Sequence, residues 1–191
     1  MQVITSVCTA DVQTMTPSSL GKHVQIKVEF YLRNFHRWIS HKSLGTIQIA
    51  CELVNQLYKN DIINNLKSVL EKGTPYLGTS AGSNICGLNM MNTNDMPIVY
   101  PPSFTTLGCI PFNINAHYLD PIEGSTHMGE TRETRIKEFH VFNKTSVLGL
   151  REGSWLEVSN NSVVLRGNLT ARLFEQNKKP VELKSGVEVI V

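Results

Sequence analysis

Pro75-Tyr76-Leu77-Gly78-Thr79-Ser80-Ala81-Gly82-Ser83-Asn84-Ile85-Cys86 is the stretch whose reading decides the fold. A short apolar run leads into a serine set between Gly78 and Gly82, and a second segment leads away from it. Small neighbours let a backbone turn sharply from strand into helix and leave the serine hydroxyl exposed at the bend, so the stretch reads as a nucleophile elbow. At the start of the following helix, unpaired amides and the positive end of the helix dipole can stabilise a developing oxyanion. Alone, Gly-x-Ser-x-Gly is a weak signal, because many such turns only join a strand to a helix.

Upstream, Ile47, Ala50, Cys51, Val54, Leu57 and Tyr58 follow helical spacing, and Ile62, Leu66, Val69 and Leu70 repeat it after Asn60-Asp61. Gly73 stops the second helix where a left-handed cap is expected. Helix, glycine, short strand, elbow and helix together predict a doubly wound α/β fold with ligands at the carboxyl ends of its strands. Further upstream the organisation changes near residue 45, which divides the chain into a partly loose segment 1–45 and a catalytic domain 46–191. Met1 to Leu20 shows no period and reads as a loose arm. Alternation from Val24 to Leu32 predicts a half-buried strand. Downstream, Ile110 to Ile114 reads as a buried strand and Thr131 to Phe142 as a helix. Trp155 to Val158, Val163 to Leu165, Ala171 to Phe174 and Val187 to Val191 read as strands.

Composition narrows the function. The chain has 191 residues, 41% hydrophobic and 18% charged, with a net charge of +2 and no Lys/Arg cluster. Nucleic acid and anionic membrane are therefore excluded as partners. Apolar runs fall far short of the roughly 20 residues needed to span a bilayer, and the Met1 end lacks the basic and apolar regions of a secretory signal, so a cytoplasmic protein is expected. Cys8, Cys51, Cys86 and Cys109 are irregularly spaced without a C-x-x-C pair, which points to buried free thiols rather than a disulfide framework or a zinc site; no cofactor is expected.

Serine catalysis needs a base and an acid that orients it. Of the six histidines, His23, His36, His41 and His140 read as structural or solvent-facing, and His127, in a polar turn, is open to either role. His117 directly follows an apolar run and sits just past a strand end. Two carboxylates stand in turns, Asp95 in Thr93-Asn94-Asp95-Met96-Pro97 and Glu152 in Gly149-Leu150-Arg151-Glu152-Gly153.

Five segments in order carry a more specific signal: Gly78 to Asn84, Asn92-Thr93-Asn94-Asp95-Met96-Pro97-Ile98-Val99, Asn113-Ile114-Asn115-Ala116-His117-Tyr118, His127-Met128-Gly129-Glu130-Thr131-Arg132-Glu133 and Leu150-Arg151-Glu152-Gly153-Ser154-Trp155. Together they resemble the peptidase E family of α-aspartyl dipeptidases, from about Val54 to the C-terminus. The resemblance implies a class I glutamine-amidotransferase-like three-layer α/β sandwich, here missing part of its N-terminal half. It further implies a serine peptidase of the cytoplasm that cleaves dipeptides with N-terminal aspartate, as a monomer or homodimer. Its site roles fall on Ser80 as nucleophile, His117 as general base, and either Asp95 or Glu152 as the acid. Glu152 fits a Ser-His-Glu triad in chain order; Asp95 alternatively holds substrate or loop. The amide of Ala81 would stabilise the oxyanion. Arg132 would bind the substrate's aspartyl carboxylate, because a guanidinium fork suits a planar anion.

Two positions depart from the family pattern. Ala116 stands where the family has proline before the histidine. Thr46-Ile47-Gln48-Ile49-Ala50-Cys51 stands where it has Gly-Gly-Gly-Asn-Thr-Phe, a loop expected to supply an oxyanion amide. This second departure opens an alternative reading: a catalytically impaired relative that acts as a binding module or has no function.

Overall fold

Spacing of apolar residues along 50–70 builds the first layer of the molecule. A computed structural model describes residues 2–6, 49–74, 76–94, 96, 98–121 and 130–191. In chain order its elements are β1 (Gln2–Ser6), α1 (Ile49–Lys59), α2 (Ile62–Glu71), β2 (Tyr76–Thr79), α3 (Ala81–Asn84), β3 (Asn113–Ala116), α4 (Arg132–Phe142), β4 (Val147–Leu150), β5 (Ser154–Ser159), β6 (Ser162–Gly167), β7 (Ala171–Phe174) and β8 (Val181–Leu183). Helix α1 buries Ala50, Cys51, Val54 and Leu57 on one face, and α2 buries Ile63 and Leu70. These pack with Ile85, Met90 and Leu107 into one apolar cluster.

Helix α2 ends as its sequence predicts. Gly73 adopts φ +93°, its amide donates to Leu70 O, and the Thr74 amide donates to Val69 O. This paired closure satisfies the last carbonyls of the helix and needs a residue at ease with positive φ. The chain then enters β2 and reaches Ser80.

The strands form two four-stranded mixed sheets, ordered β2-β1-β5-β6 and β3-β4-β7-β8. Pairs β1/β2 and β3/β4 are parallel, and the rest are antiparallel. A second core cluster draws on both sheets: Ile114 and Ala116 of β3, Leu148 and Leu150 of β4, Leu156 and Val158 of β5, Val163 and Leu165 of β6, and Ala171 and Leu173 of β7. Full burial of each larger side chain contributes about 1.5–3 kcal/mol, so this shared core, rather than backbone pairing across the two sheets, holds them against each other. The architecture is α/β, as the helix-strand rhythm around the elbow predicts.

Several local expectations are corrected. Gln2–Ser6, inside the stretch read as a loose arm, is a strand between β2 and β5, in register from Val3 opposite Tyr76 to Ser6 opposite Thr79. Ile110 and Phe112 are buried, but the ladder of β3 begins only at Asn113. At the C-terminus the strand is Val181–Leu183; Val187 and Val189 instead exchange backbone bonds with Leu165 and Val163 beside β6, around an isolated Val164–Glu188 bridge. The alternation in Val187–Val191 reflects this edge contact. Cys51 and Cys86 are buried free thiols and Cys109 is a half-buried one. The strand expected over Val24–Leu32, along with Cys8, His23, His36, His41 and His127, lies outside the described residues.

Candidate active site

Ser80 stands between β2 and α3 with φ 51° and ψ −117°, a conformation that costs a non-glycine residue about 1–3 kcal/mol unless its surroundings enforce it. The enforcement is visible. A Cβ on Gly78 would lie 2.5 Å from Gly82 O, so the strand and the helix approach each other as only a glycine permits. Tyr76 Oη donates to Gly82 O at 2.9 Å and Ser83 Oγ to Gly78 O at 3.1 Å, which closes the bend from both sides. The amides of Ser83 and Asn84 donate to Ser80 O. Tyr76 is half-buried, and its loss of solvation raises its phenol pKa well above the ordinary value, so it stays a neutral donor.

His117 follows β3 directly and also has positive φ, 55°. That bend turns its ring toward the elbow, where Nε2 lies 3.0 Å from Ser80 Oγ. Its other nitrogen, Nδ1, lies 2.9 Å from Glu152 Oε1 in the turn after β4. An ionised carboxylate only accepts, so Nδ1 carries the proton and Nε2 is left as acceptor for the serine hydroxyl. Strands β3 and β4 are parallel neighbours in register, with Ala116 opposite Leu150, so residues 117 and 152 emerge from the same sheet end. The His117 side chain is 25% exposed and that of Glu152 50%, which leaves the array open for a small ligand to reach.

The end of β3 before His117 is pinned on both sides. The Ala116 amide donates to Asn84 Oδ1 at 3.2 Å, tying the elbow helix to the strand that carries the histidine. A proline at this position would have no such donor. Arg132, the first residue of α4, donates from Nη1 to Ala116 O at 3.4 Å, so its guanidinium lies beside the residue preceding His117. Thr131 caps α4 by accepting from the Thr134 amide at 3.1 Å. Ala81 opens α3, immediately after Ser80. Asp95 lies outside the described residues. His140 is buried on α4, with Nε2 3.0 Å from Thr145 O.

Sequence reasoning missed Asn84 as a support of the array. No local signal marks it, since its partner Ala116 lies 32 residues away. Among the described residues, no group of three or more His, Cys, Asp or Glu could hold a metal ion, and no helix is long and apolar enough to cross a membrane.

The model of peptidase family S51 matches residues 50–166. The chain belongs to that family. It is 51% identical over 137 residues to peptidase E of Streptomyces coelicolor, covering 72% of this chain and 56% of the relative. Against a probable alpha-aspartyl dipeptidase of Drosophila melanogaster it is 45% identical over 132 residues, covering 69% of this chain and 55% of the relative. The chain thus spans about half the length of these curated relatives. Among solved structures it is similar to a putative peptidase E protein of Listeria monocytogenes, with TM-score 0.49 and 17% identity, covering 62% of this chain and 55% of that one.

Proposed function

We propose that this chain hydrolyses dipeptides bearing an N-terminal aspartate, with Ser80 as nucleophile, His117 as general base and Glu152 as the acid that orients it. The observation that carries the reading is the continuous line Ser80 Oγ, His117 Nε2, His117 Nδ1, Glu152 Oε1, with both contacts at or under 3.0 Å. In the first step the hydroxyl proton passes to Nε2 as Oγ attacks the scissile carbonyl, and the new imidazolium is stabilised by Glu152. The Ala81 amide, at the start of α3, serves as donor to the oxygen that becomes negative. Nε2 then returns the proton to the leaving amine. Water, deprotonated by the same nitrogen, releases the acyl group and restores Ser80. No cofactor takes part.

The aspartyl specificity rests on Arg132, whose guanidinium is adjacent to the His117 loop and offers a bidentate partner to a carboxylate. Membership of a peptidase family and the similarity to a probable alpha-aspartyl dipeptidase of Drosophila melanogaster favour this substrate class.

A second reading, an impaired relative that binds without turnover, is favoured by one observation. Where the resemblance expects a glycine-rich loop, Ile49–Cys51 form the first turn of α1, with Ala50 and Cys51 buried. Loss of one oxyanion donor costs on the order of 100- to 1,000-fold in rate. Incubation with a fluorophosphonate and with Asp-Leu separates the two. The dipeptidase reading expects labelling at Ser80 and release of leucine, with both absent in Ser80→Ala while its unfolding free energy stays within about 1 kcal/mol of the parent. A folded parent that neither labels nor hydrolyses leaves the second reading standing.

A further inference from the structure

Arg151 is 14% exposed and uses all of its nitrogens within the protein. Nε and Nη2 grip Asp120 at 2.9 and 2.7 Å, Nη1 and Nη2 grip Glu182 at 3.0 Å each, and Nη1 reaches Thr170 O and Oγ1 at 3.0 and 2.9 Å. Its guanidinium carbon also lies 5.5 Å from the centre of the Tyr118 ring. These partners are not scattered. Tyr118 and Asp120 belong to the segment that leaves His117, and Arg151 itself immediately precedes Glu152. Thr170 and Glu182 lie on the β7–β8 side of the same sheet. The Tyr118 amide donates to Leu150 O, so the two chain segments already run side by side where the fork closes on them.

Two paired carboxylates on one fork form a far more directional joint than a surface ion pair. The charges respond accordingly. Hydrogen bonding from Arg151 holds the Asp120 carboxyl below its ordinary value. Burial raises the Glu182 carboxyl, but the bonds from Arg151 and Thr170 outweigh it and the net shift is downward. Arg172, 3.5 Å from both Asp120 and Glu182, adds a second cation but makes no two-pronged contact with either of them.

We propose that Arg151 is a positioning residue for the triad: by clamping Asp120 to Glu182 it fixes the spacing between the turn that carries Glu152 and the segment that follows His117. It touches no reacting atom. Its effect passes through the 2.9 Å contact between His117 and Glu152, because a carboxylate displaced by as little as an ångström no longer selects the imidazole tautomer that accepts from the serine. The kinetic part of the proposal rests on the dipeptidase reading; the tautomer part does not.

The test uses the full chain with Arg151→Met, the milder Arg151→Lys, and Arg166→Met as a control that removes an equally short ion pair, to Glu157, on the β5–β6 hairpin. On Asp-Leu, Arg151→Met should lower kcat about 10- to 100-fold with KM moved less than about 3-fold, Arg151→Lys should fall between, and Arg166→Met should leave both unchanged. In a Glu152→Gln background the further loss from Arg151→Met should shrink to less than about 3-fold, because the clamp acts through that carboxylate. Full additivity would overturn the proposal. Nitrogen NMR of labelled histidine supplies a readout that needs no turnover: His117 should hold its proton on Nδ1 in the parent and become a mixture of tautomers in folded Arg151→Met. An unchanged tautomer overturns the clamp whatever the activity. A tautomer that changes in a parent unable to hydrolyse Asp-Leu sustains the clamp and sinks the dipeptidase reading instead.

Discussion

Two of the turns that hold a non-glycine residue at positive φ, those at Asn160 and Ser80, differ in what holds them there. At the β5–β6 hairpin, Asn160 has φ 53° in an exposed two-residue loop between Ser159 and Ser162. Asparagine tolerates this region because its short amide bonds locally, and such turns are written openly in residue type. At the elbow, Ser80 has φ 51° and nothing in a serine favours it. There the surroundings impose the bend: the Gly78 approach, the Tyr76 hydroxyl on Gly82 O, and Ser83 Oγ on Gly78 O. The first turn serves folding alone. The second stores strain at the exposed Ser80, and the rest of the fold sustains it.

The largest effect that tests this contrast belongs to the acid. With Glu152 in contact with His117, Glu152→Gln should depress kcat on Asp-Leu by about 10⁴-fold, the loss that accompanies the wrong imidazole tautomer. Asp95→Asn should act mainly on KM. Equal losses of kcat from the two changes would remove Glu152 from the role.

Next in size is selectivity. Arg132→Met should cut the preference for Asp-Leu over Asn-Leu by about 2 to 5 kcal/mol, the range for breaking a desolvated charge pair. A solvated helix arginine would change it by less than about 1 kcal/mol. The ratio of kcat/KM for the two dipeptides, in parent and variant, decides.

How far the sequence discloses these features follows from how local their causes are. Helices α1 and α2, the Gly73 stop, the elbow, α4 and the strands β5, β6 and β7 each have their cause within a few neighbouring residues, and each was legible there. Strand β4 was not: Val147-Leu148-Gly149-Leu150 is buried at all four positions, so it shows no alternation to read. Strand β1 owes its state to pairing with segments at residues 76–79 and 155–159, which no local period announces. At the candidate site, Ser80 and His117 could be singled out by position after strands. The contact between His117 and Glu152 could not, since it depends on the parallel register that brings residue 152 beside residue 117.

The two glycines flanking Ser80 look equivalent in sequence and are not equivalent in space. A Cβ at Gly78 meets the Gly82 backbone at 2.5 and 2.7 Å, whereas one at Gly82 meets only Tyr76 Oη, at 3.6 Å. Gly78→Ala should therefore destabilise by about 1–3 kcal/mol, because backbone atoms cannot step aside as a side chain can. Gly82→Ala, inside α3, should be neutral or stabilise by up to about 1 kcal/mol. Urea unfolding of both variants measures the difference; equal losses would mean that the elbow is not closed by the Gly78 approach.

The smallest effect bears most directly on the comparison between the turns. Replacing Ser80 by glycine removes a strained conformation worth about 1–3 kcal/mol, while the greater freedom of glycine in the unfolded chain takes back roughly 0.4–1 kcal/mol. Ser80→Gly should thus unfold at higher urea, by about 1 kcal/mol net, although its hydroxyl and any hydrolysis are gone. Asn160→Gly starts from little strain and should come out near zero or slightly destabilised by the same unfolded-state cost. A stabilisation at Asn160 as large as at Ser80 would show that positive φ costs the same at both turns, and that the elbow stores nothing special. If Ser80→Gly is instead destabilised, the bonds of the serine outweigh its backbone strain, and the bend is a relaxed feature of this fold.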